Sequence, residues 1–215
     1  MTPETLAHLS KACPVMRKLI RAIGACALTP EARRSPFESL VRAVAHQQLN
    51  GIAAERILAR FLALFPGKRF PAAEDLVAIE DDTLRSVGFS RAKTLAIRDI
   101  AAKTIEGTVP TSRKIARLGD EEIIERLTAV RGVGRWTAEM LLIFQLGRPD
   151  VLPIDDFGVR NGFRIAFDLP EMPKPKELLA HGERWRPFRT TASWYLWRAT
   201  DRGRVIPAER RLREV

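Results

Sequence analysis

Apolar residues in this chain recur at three- and four-residue steps along most of its length, a period that fits helix and little else. From Phe37 to Phe65 the stripe runs through Leu40, Val41, Val44, Ile52, Ile57, Leu58, Phe61 and Leu62. Gly51 interrupts it, so the pattern predicts two helices joined by the polar junction His46-Gln47-Gln48-Leu49-Asn50, the second stopped by Pro66-Gly67. A short helix is expected over 80–86, ending near Gly88. Ser90 is placed to cap a longer one carrying Leu95, Ile97, Ile100 and Ile105 and ending at Gly107. Helices follow around Ile123, Ile124 and Leu127, with Asp120 or a neighbour as cap, then over 135–146, on Val159, Phe163 and Phe167, and over 176–184 and 190–200. No segment alternates with period two between hairpin turns, and there is no long-period repeat or low-complexity tract. The expected fold is all-α.

Charge narrows the partners. The 215 residues carry 36 Lys plus Arg against 26 Asp plus Glu, a formal charge of +10. Such an excess suits a polyanion, nucleic acid first. Two cysteines, Cys13 and Cys26, exclude a disulfide framework, a four-cysteine zinc site and an iron–sulfur cluster. The opening MTPETLAHLSK has no basic start followed by an apolar run, and the longest apolar run, Met140 to Phe144, cannot span a bilayer. The expectation is a soluble intracellular protein, cytoplasmic in a bacterium and nuclear in a eukaryote.

Two constellations carry chemistry. In Leu127-Thr-Ala-Val-Arg-Gly132-Val133-Gly134-Arg135-Trp136, one helix runs into Gly-Val-Gly and another begins at once. Two readings fit: a tight turn between core helices, or a phosphate site made of exposed amides at a helix start, flanked by Arg131 and Arg135. In Leu152-Pro-Ile-Asp155-Asp156-Phe157, one Asp can cap the following helix. The other either faces a cleft or decorates the helix start.

Taken together these segments resemble the helix-hairpin-helix DNA glycosylase superfamily, and within it the alkylation-repair branch, DNA-3-methyladenine glycosylase II. The hairpin is followed about twenty residues later by an Asp. Ser35-Pro-Phe-Glu-Ser-Leu-Val-Arg-Ala-Val-Ala-His-Gln47-Gln48 resembles the family's first core helix and its Gln-containing junction. Gly88-Phe-Ser-Arg-Ala-Lys93 resembles the next loop and helix. Gly182-Glu-Arg-Trp185-Arg-Pro-Phe-Arg189, followed by Trp194-Tyr195-Leu-Trp197, resembles the C-terminal signature. The match covers roughly residues 35 to 200, in order.

The resemblance implies a two-lobed helix-hairpin-helix core at 35–200 with the active site in the cleft between lobes. It leaves an N-terminal helical extension at 1–34, mostly one amphipathic helix, and a basic tail at 201–215. The N-terminal mixed α/β domain of longer members is expected to be missing. Asp156, the second of the pair, is implied as catalytic and Asp155 as the structural helix cap. Trp136 occupies the position where lyase members carry the Schiff-base Lys, so a monofunctional enzyme is implied. Trp136, Trp197 and Phe157 are implied for the base pocket, while Trp185 and Trp194 read as core. Gln48 or Leu49 is the implied wedge that fills the gap left by a flipped nucleotide. Gly132, Gly134, Arg131 and Arg135 are implied for phosphate. The carbonyls of Thr128, Val130 and Val133 are implied for a monovalent cation (Na or K), with no cofactor otherwise required. From Arg184 onward nine Arg stand against three acids, a second candidate DNA-facing surface. The implied partner is double-stranded DNA with alkylated bases, met by a monomer without a membrane. The rival reading, a non-catalytic helix-hairpin-helix DNA-binding protein, explains the charge and the glycines but leaves Asp156 without a task.

Overall fold

Pro3, Pro14, Pro36 and Pro175 each stand in the first turn of a helix. There the fixed φ suits the helix and the missing N–H is not needed. The computed structural model describes residues 2–205. Its helices are α1 (Pro3–Ala12), α2 (Pro14–Ile23), α3 (Pro36–His46), α4 (Gly51–Ala63), α5 (Ala73–Ala78), α6 (Asp81–Ser86), α7 (Arg91–Ile105), α8 (Ser112–Ile115), α9 (Asp120–Thr128), α10 (Arg135–Phe144), α11 (Phe157–Ala166), α12 (Pro175–Gly182) and α13 (Arg189–Val205). A 3₁₀ turn at Glu183–Trp185 follows α12. No strand occurs among the described residues, as the periodicity predicts. None of these helices is long and apolar enough to cross a membrane.

The chain divides into two units, residues 30–146 and residues 1–29 with 147–215. The first holds α3 to α10. Ser35, Asn50 and Ser90 cap α3, α4 and α7, accepting from the N–H of Glu38, Ala53 and Lys93. Its core is the apolar stripe read from sequence: Leu40, Val44, Phe61, Ile97, Ile100, Leu127 and Leu142 are all at 0% exposure. Phe61 meets Phe65, Phe70 and Phe89 edge-on at 5.6, 6.0 and 5.5 Å. The short helices α5 and α8 were not expected. At six and four residues they are too brief to show a period.

The second unit corrects the expected boundaries. Residues 1–34 are not one helix appended to a core at 35–200. They form two helices, split at Cys13-Pro14, and Leu9 and Met16 lie wholly inside the cluster of Val159, Phe163, Trp185, Tyr195 and Leu196. Tyr195 Oη donates to the Gly24 carbonyl at 2.8 Å, tying α13 to the end of α2. The expected tail at 201–215 is also redrawn: α13 continues to Val205, and 206–215 lies outside the described residues.

His181, in α12, packs its ring against Phe163, Phe167 and Trp185, with its Nε2 buried and unbonded. Burial, reinforced by nearby Arg184, lowers its pKa from 6.5 to about 4. The unfolded chain therefore takes up this proton at a higher pH than the folded chain does. The neutral ring's contribution is whole above about pH 6.5 and is lost as pH falls through about 4. Denaturant titrations across that range are expected to show a decline in stability that His181→Phe flattens.

Candidate nucleic-acid and catalytic site

The hairpin between α9 and α10 is built by backbone conformation. Gly132 has φ of 77°, and a Cβ there would come 2.9 Å from the Ala96 Cβ, so glycine is required twice over. Val130 and Val133 are buried and pin the turn, with the Val133 N–H donating to the Val130 carbonyl at 3.1 Å. Gly134 is the N-cap of α10 and supplies no side-chain cap. The first-turn amides of a helix lack intrahelical acceptors, so such a start suits an anion. Gly132, Gly134 and Arg131 are exposed. Arg135, expected to flank a phosphate, is paired with Glu121 at 2.7 Å and with buried Glu139 at 3.0 Å. The Glu121 carboxylate, foremost, raises the guanidinium's pKa above its ordinary value. These pairings give Arg135 a structural task as well, since removing it would take a cation away from buried Glu139.

The junction after α3 turns sharply. Gln48 has φ of 57°, rare for a residue with a side chain, and both it and Leu49 are exposed. Gln47 Nε2 donates to the Gly132 carbonyl at 2.9 Å.

In the other unit, α11 begins at Phe157, so Asp156 rather than Asp155 is its N-cap. Asp156 Oδ1 accepts from the Val159 N–H at 2.7 Å. The expected division, Asp155 as cap and Asp156 free of that duty, is corrected. An N-cap carboxylate reaches the amide three residues on, and the helix start decides which Asp does so. Asp155 is exposed. The same Asp156 Oδ1 also accepts from Trp197 Nε1 at 2.8 Å. Gly158 makes this possible, since a Cβ there would lie 2.8 Å from the indole Cδ1. Two donors on one oxygen fix the plane of the carboxylate. Trp197, expected as a pocket wall, anchors Asp156. Trp197→Phe keeps an aromatic ring but removes the N–H donor. The single-turnover rate is expected to fall about tenfold, with nucleic-acid affinity little changed. Equal loss of rate and affinity would contradict the anchoring role.

Trp136 is 47% and Phe157 67% exposed. Trp185 is wholly buried and Trp194 packs on the same core, as expected. Arg186 and Arg189 pair with Asp150 and Glu183, Arg184 Nε donates to the His181 carbonyl, and Arg198 pairs with Asp201. The side chains from Arg202 onward lie outside the description.

A cavity of about 250 Å³ opens between α3 and α10, lined by Ala43, His46, Thr137, Met140 and Phe144 among others. Neither Met140 nor Phe144 was singled out from sequence as a cavity residue. The signal was present: five successive apolar residues, Met140 to Phe144, wrap the whole helix circumference, so one side must leave the core. Phe144 is 41% exposed.

An all-helical chain with a glycine hairpin and an anchored, helix-capping Asp defines a class of DNA-repair proteins. Residues 41–187 match the HhH-GPD superfamily of base excision DNA repair proteins, and the chain belongs to that family. It is 42% identical over 194 residues to DNA-3-methyladenine glycosylase 1 of Schizosaccharomyces pombe, covering 90% of this chain and 85% of that protein. The solved structure of that glycosylase with abasic DNA superposes with a TM-score of 0.80, covering 90% of this chain and 95% of the other. The alkylbase DNA glycosidase-like protein mag2 of the same yeast is 33% identical, covering 88% of this chain and 90% of its own. The structure of a DNA-3-methyladenine glycosidase from Bacillus halodurans is 33% identical with a TM-score of 0.82, covering 92% of this chain and 89% of its own.

Proposed function

We infer that this chain is a monofunctional DNA glycosylase of base excision repair. It takes alkylated bases, 3-methyladenine, 7-methylguanine and their like, from duplex DNA by hydrolysing the N-glycosidic bond. The observation that carries this reading is the Asp156 carboxylate, held by Val159 N–H and the Trp197 indole within a member of the family.

The mechanism follows from charge. The duplex is gripped at its phosphates by the amides of Gly132 and Gly134, with Arg131 beside them. The nucleotide swings out, and Gln48 or Leu49 fills the gap at a cost of a few kcal/mol, least for a weakened pair. A purine alkylated at N3 or N7 is already cationic. When its C1′–N bond breaks, the electron pair neutralises the ring, so no strong general acid is needed. The positive charge moves to the sugar as an oxocarbenium ion, as in glycoside hydrolysis. Asp156 stabilises that cation and directs a water to C1′, accepting its proton. Trp136, Trp197 and Phe157 offer aromatic faces, and a cation on an indole gains about 0.5–2 kcal/mol. Discrimination rests mainly on bond lability, because normal bases stack as well. With Trp136 where a Schiff base would need Lys, no lyase step follows.

The carbonyls of Thr128, Val130 and Val133 would hold a monovalent cation, Na or K, which would supply positive charge for a phosphate. The Val130 carbonyl accepts one turn hydrogen bond and keeps a second lone pair for such an ion. The chain requires no other cofactor and works as a monomer, in the nucleoid or nucleus where its duplex lies.

The test is base release from methylated duplex DNA. The expected product is an abasic site that breaks only on alkali treatment, with binding that weakens steeply as salt rises. Binding without release would favour the non-catalytic alternative, and strand cleavage without alkali would overturn the monofunctional assignment.

A further inference from the structure

The segment Gly88-Phe-Ser-Arg-Ala-Lys93 leads into α7 and takes no part in the steps above. On α7, Lys93, Ala96 and Asp99 follow one another at three-residue intervals, and each meets an element directed at DNA. Lys93 Nζ donates to the Ala45 carbonyl at 2.8 Å, in the last turn of α3, from which the wedge junction departs. Ala96 fills the space that a side chain at Gly132 would occupy. Asp99 Oδ2 accepts from the Arg131 N–H at 2.7 Å. Junction and hairpin thus rest on one helix.

They also touch directly through Gln47. Its amide meets the Gly132 carbonyl across 85 positions of sequence. The peptide unit between Gly132 and Val133 is then held at both ends, by Gln47 on its carbonyl and by the Val130 carbonyl on its N–H. Gln47 stands immediately before Gln48, whose left-handed backbone persists only where the surroundings over-determine it. We propose that Gln47 is a positioning residue that locks the wedge junction to the phosphate-gripping hairpin, so that the two engage DNA as one rigid piece. This rests on the glycosylase reading above. Grip and insertion must coincide for a nucleotide to be extruded. A loosened junction therefore costs insertion and turnover while leaving the grip in place.

The experiment uses the full chain and two duplexes. One carries 7-methylguanine. The other carries a tetrahydrofuran abasic analogue beside 2-aminopurine, whose fluorescence rises when a wedge unstacks it. For Gln47→Ala, duplex affinity at matched salt is expected to stay within about threefold of wild type. Single-turnover release at saturating enzyme is expected to fall about tenfold or more, together with the fluorescence rise. Gln47→Glu is expected to fall further, since its carboxylate would oppose the Gly132 carbonyl where the amide donated. Gln47→Asn, too short to span the contact but chemically an amide, is expected to behave like Gln47→Ala and serves if either other variant fails to fold. Release and fluorescence at wild-type level in Gln47→Ala or Gln47→Asn would overturn the proposal. So would a parallel loss of rate and affinity, which would mark a collapsed hairpin. If the wild type releases no base, the glycosylase reading fails, and the fluorescence on the abasic-analogue duplex still decides the role of Gln47.

Discussion

Asp156→Asn is expected to slow base release by roughly 10²–10⁴-fold while leaving the fold and the affinity for duplex DNA near wild type. The substitution isolates charge from geometry. An Asn oxygen can still accept from Val159 N–H and Trp197 Nε1, so both hydrogen bonds survive. Asn also caps helices about as well as Asp. What disappears is the negative charge that meets the oxocarbenium ion and takes a proton from water. Asp156→Ala adds a second loss, since the α11 cap goes as well at about 1 kcal/mol. Single-turnover assays on 7-methylguanine duplex, with thermal unfolding alongside, separate the two. If Asp156→Asn released base at the wild-type rate, this carboxylate would not be the catalytic group. If Asp156→Ala unfolded no more readily than Asp156→Asn, the α11 cap would not be what this carboxylate contributes to stability.

The largest stability effect is expected at Gly162, in the middle of α11. A Cβ there would fall 1.9 Å from the Leu196 carbonyl oxygen and 2.6 Å from its carbon. Both are backbone atoms of α13, so no side-chain rotation relieves the clash. The two helices must separate where Val159, Phe163, Tyr195 and Leu196 form the core. Gly162→Ala is expected to cost about 4 kcal/mol or more, an exceptional value for one methyl group and a large part of an ordinary domain's stability. Chemical denaturation would read it, or the absence of soluble folded protein. Gly51→Ala is the control. It opens α4 with nothing within 4 Å of its would-be Cβ and is expected to be neutral within about 1 kcal/mol. Equal stability of Gly162→Ala and wild type would mean that α11 and α13 do not pack this closely.

The helices and much of their core were legible from spacing because burial on one face imposes a 3.6-residue period wherever an element is long. That accounts for Leu40, Val44, Phe61 and Ile97, while the Ser90 cap was legible as a capping residue type standing just before a periodic run. It does not account for α5 or α8, where a single turn or two shows no period. The candidate site was legible in its backbone parts. Gly132 was visible because a left-handed turn between two helices calls for glycine. The roles of charged and aromatic side chains were less so. Arg135 is committed to Glu121 and Glu139, and Asp156 rather than Asp155 caps α11. Neither follows from residue type, because a charge finds its partner in space.

The amino-acid order alone determined that the chain is helical, that a glycine turn interrupts it at 132–134, and that an acidic pair precedes a helix some twenty residues later. These are local matters, set by side-chain period and backbone freedom over a few neighbouring residues. Only the tertiary structure decided that the Trp197 indole reaches Asp156 over Gly158, that Gln47 holds the Gly132 carbonyl, and that the first helices complete a core with α13. Those contacts join residues tens to well over a hundred positions apart. Their geometry depends on packing of the whole unit, which no local pattern encodes.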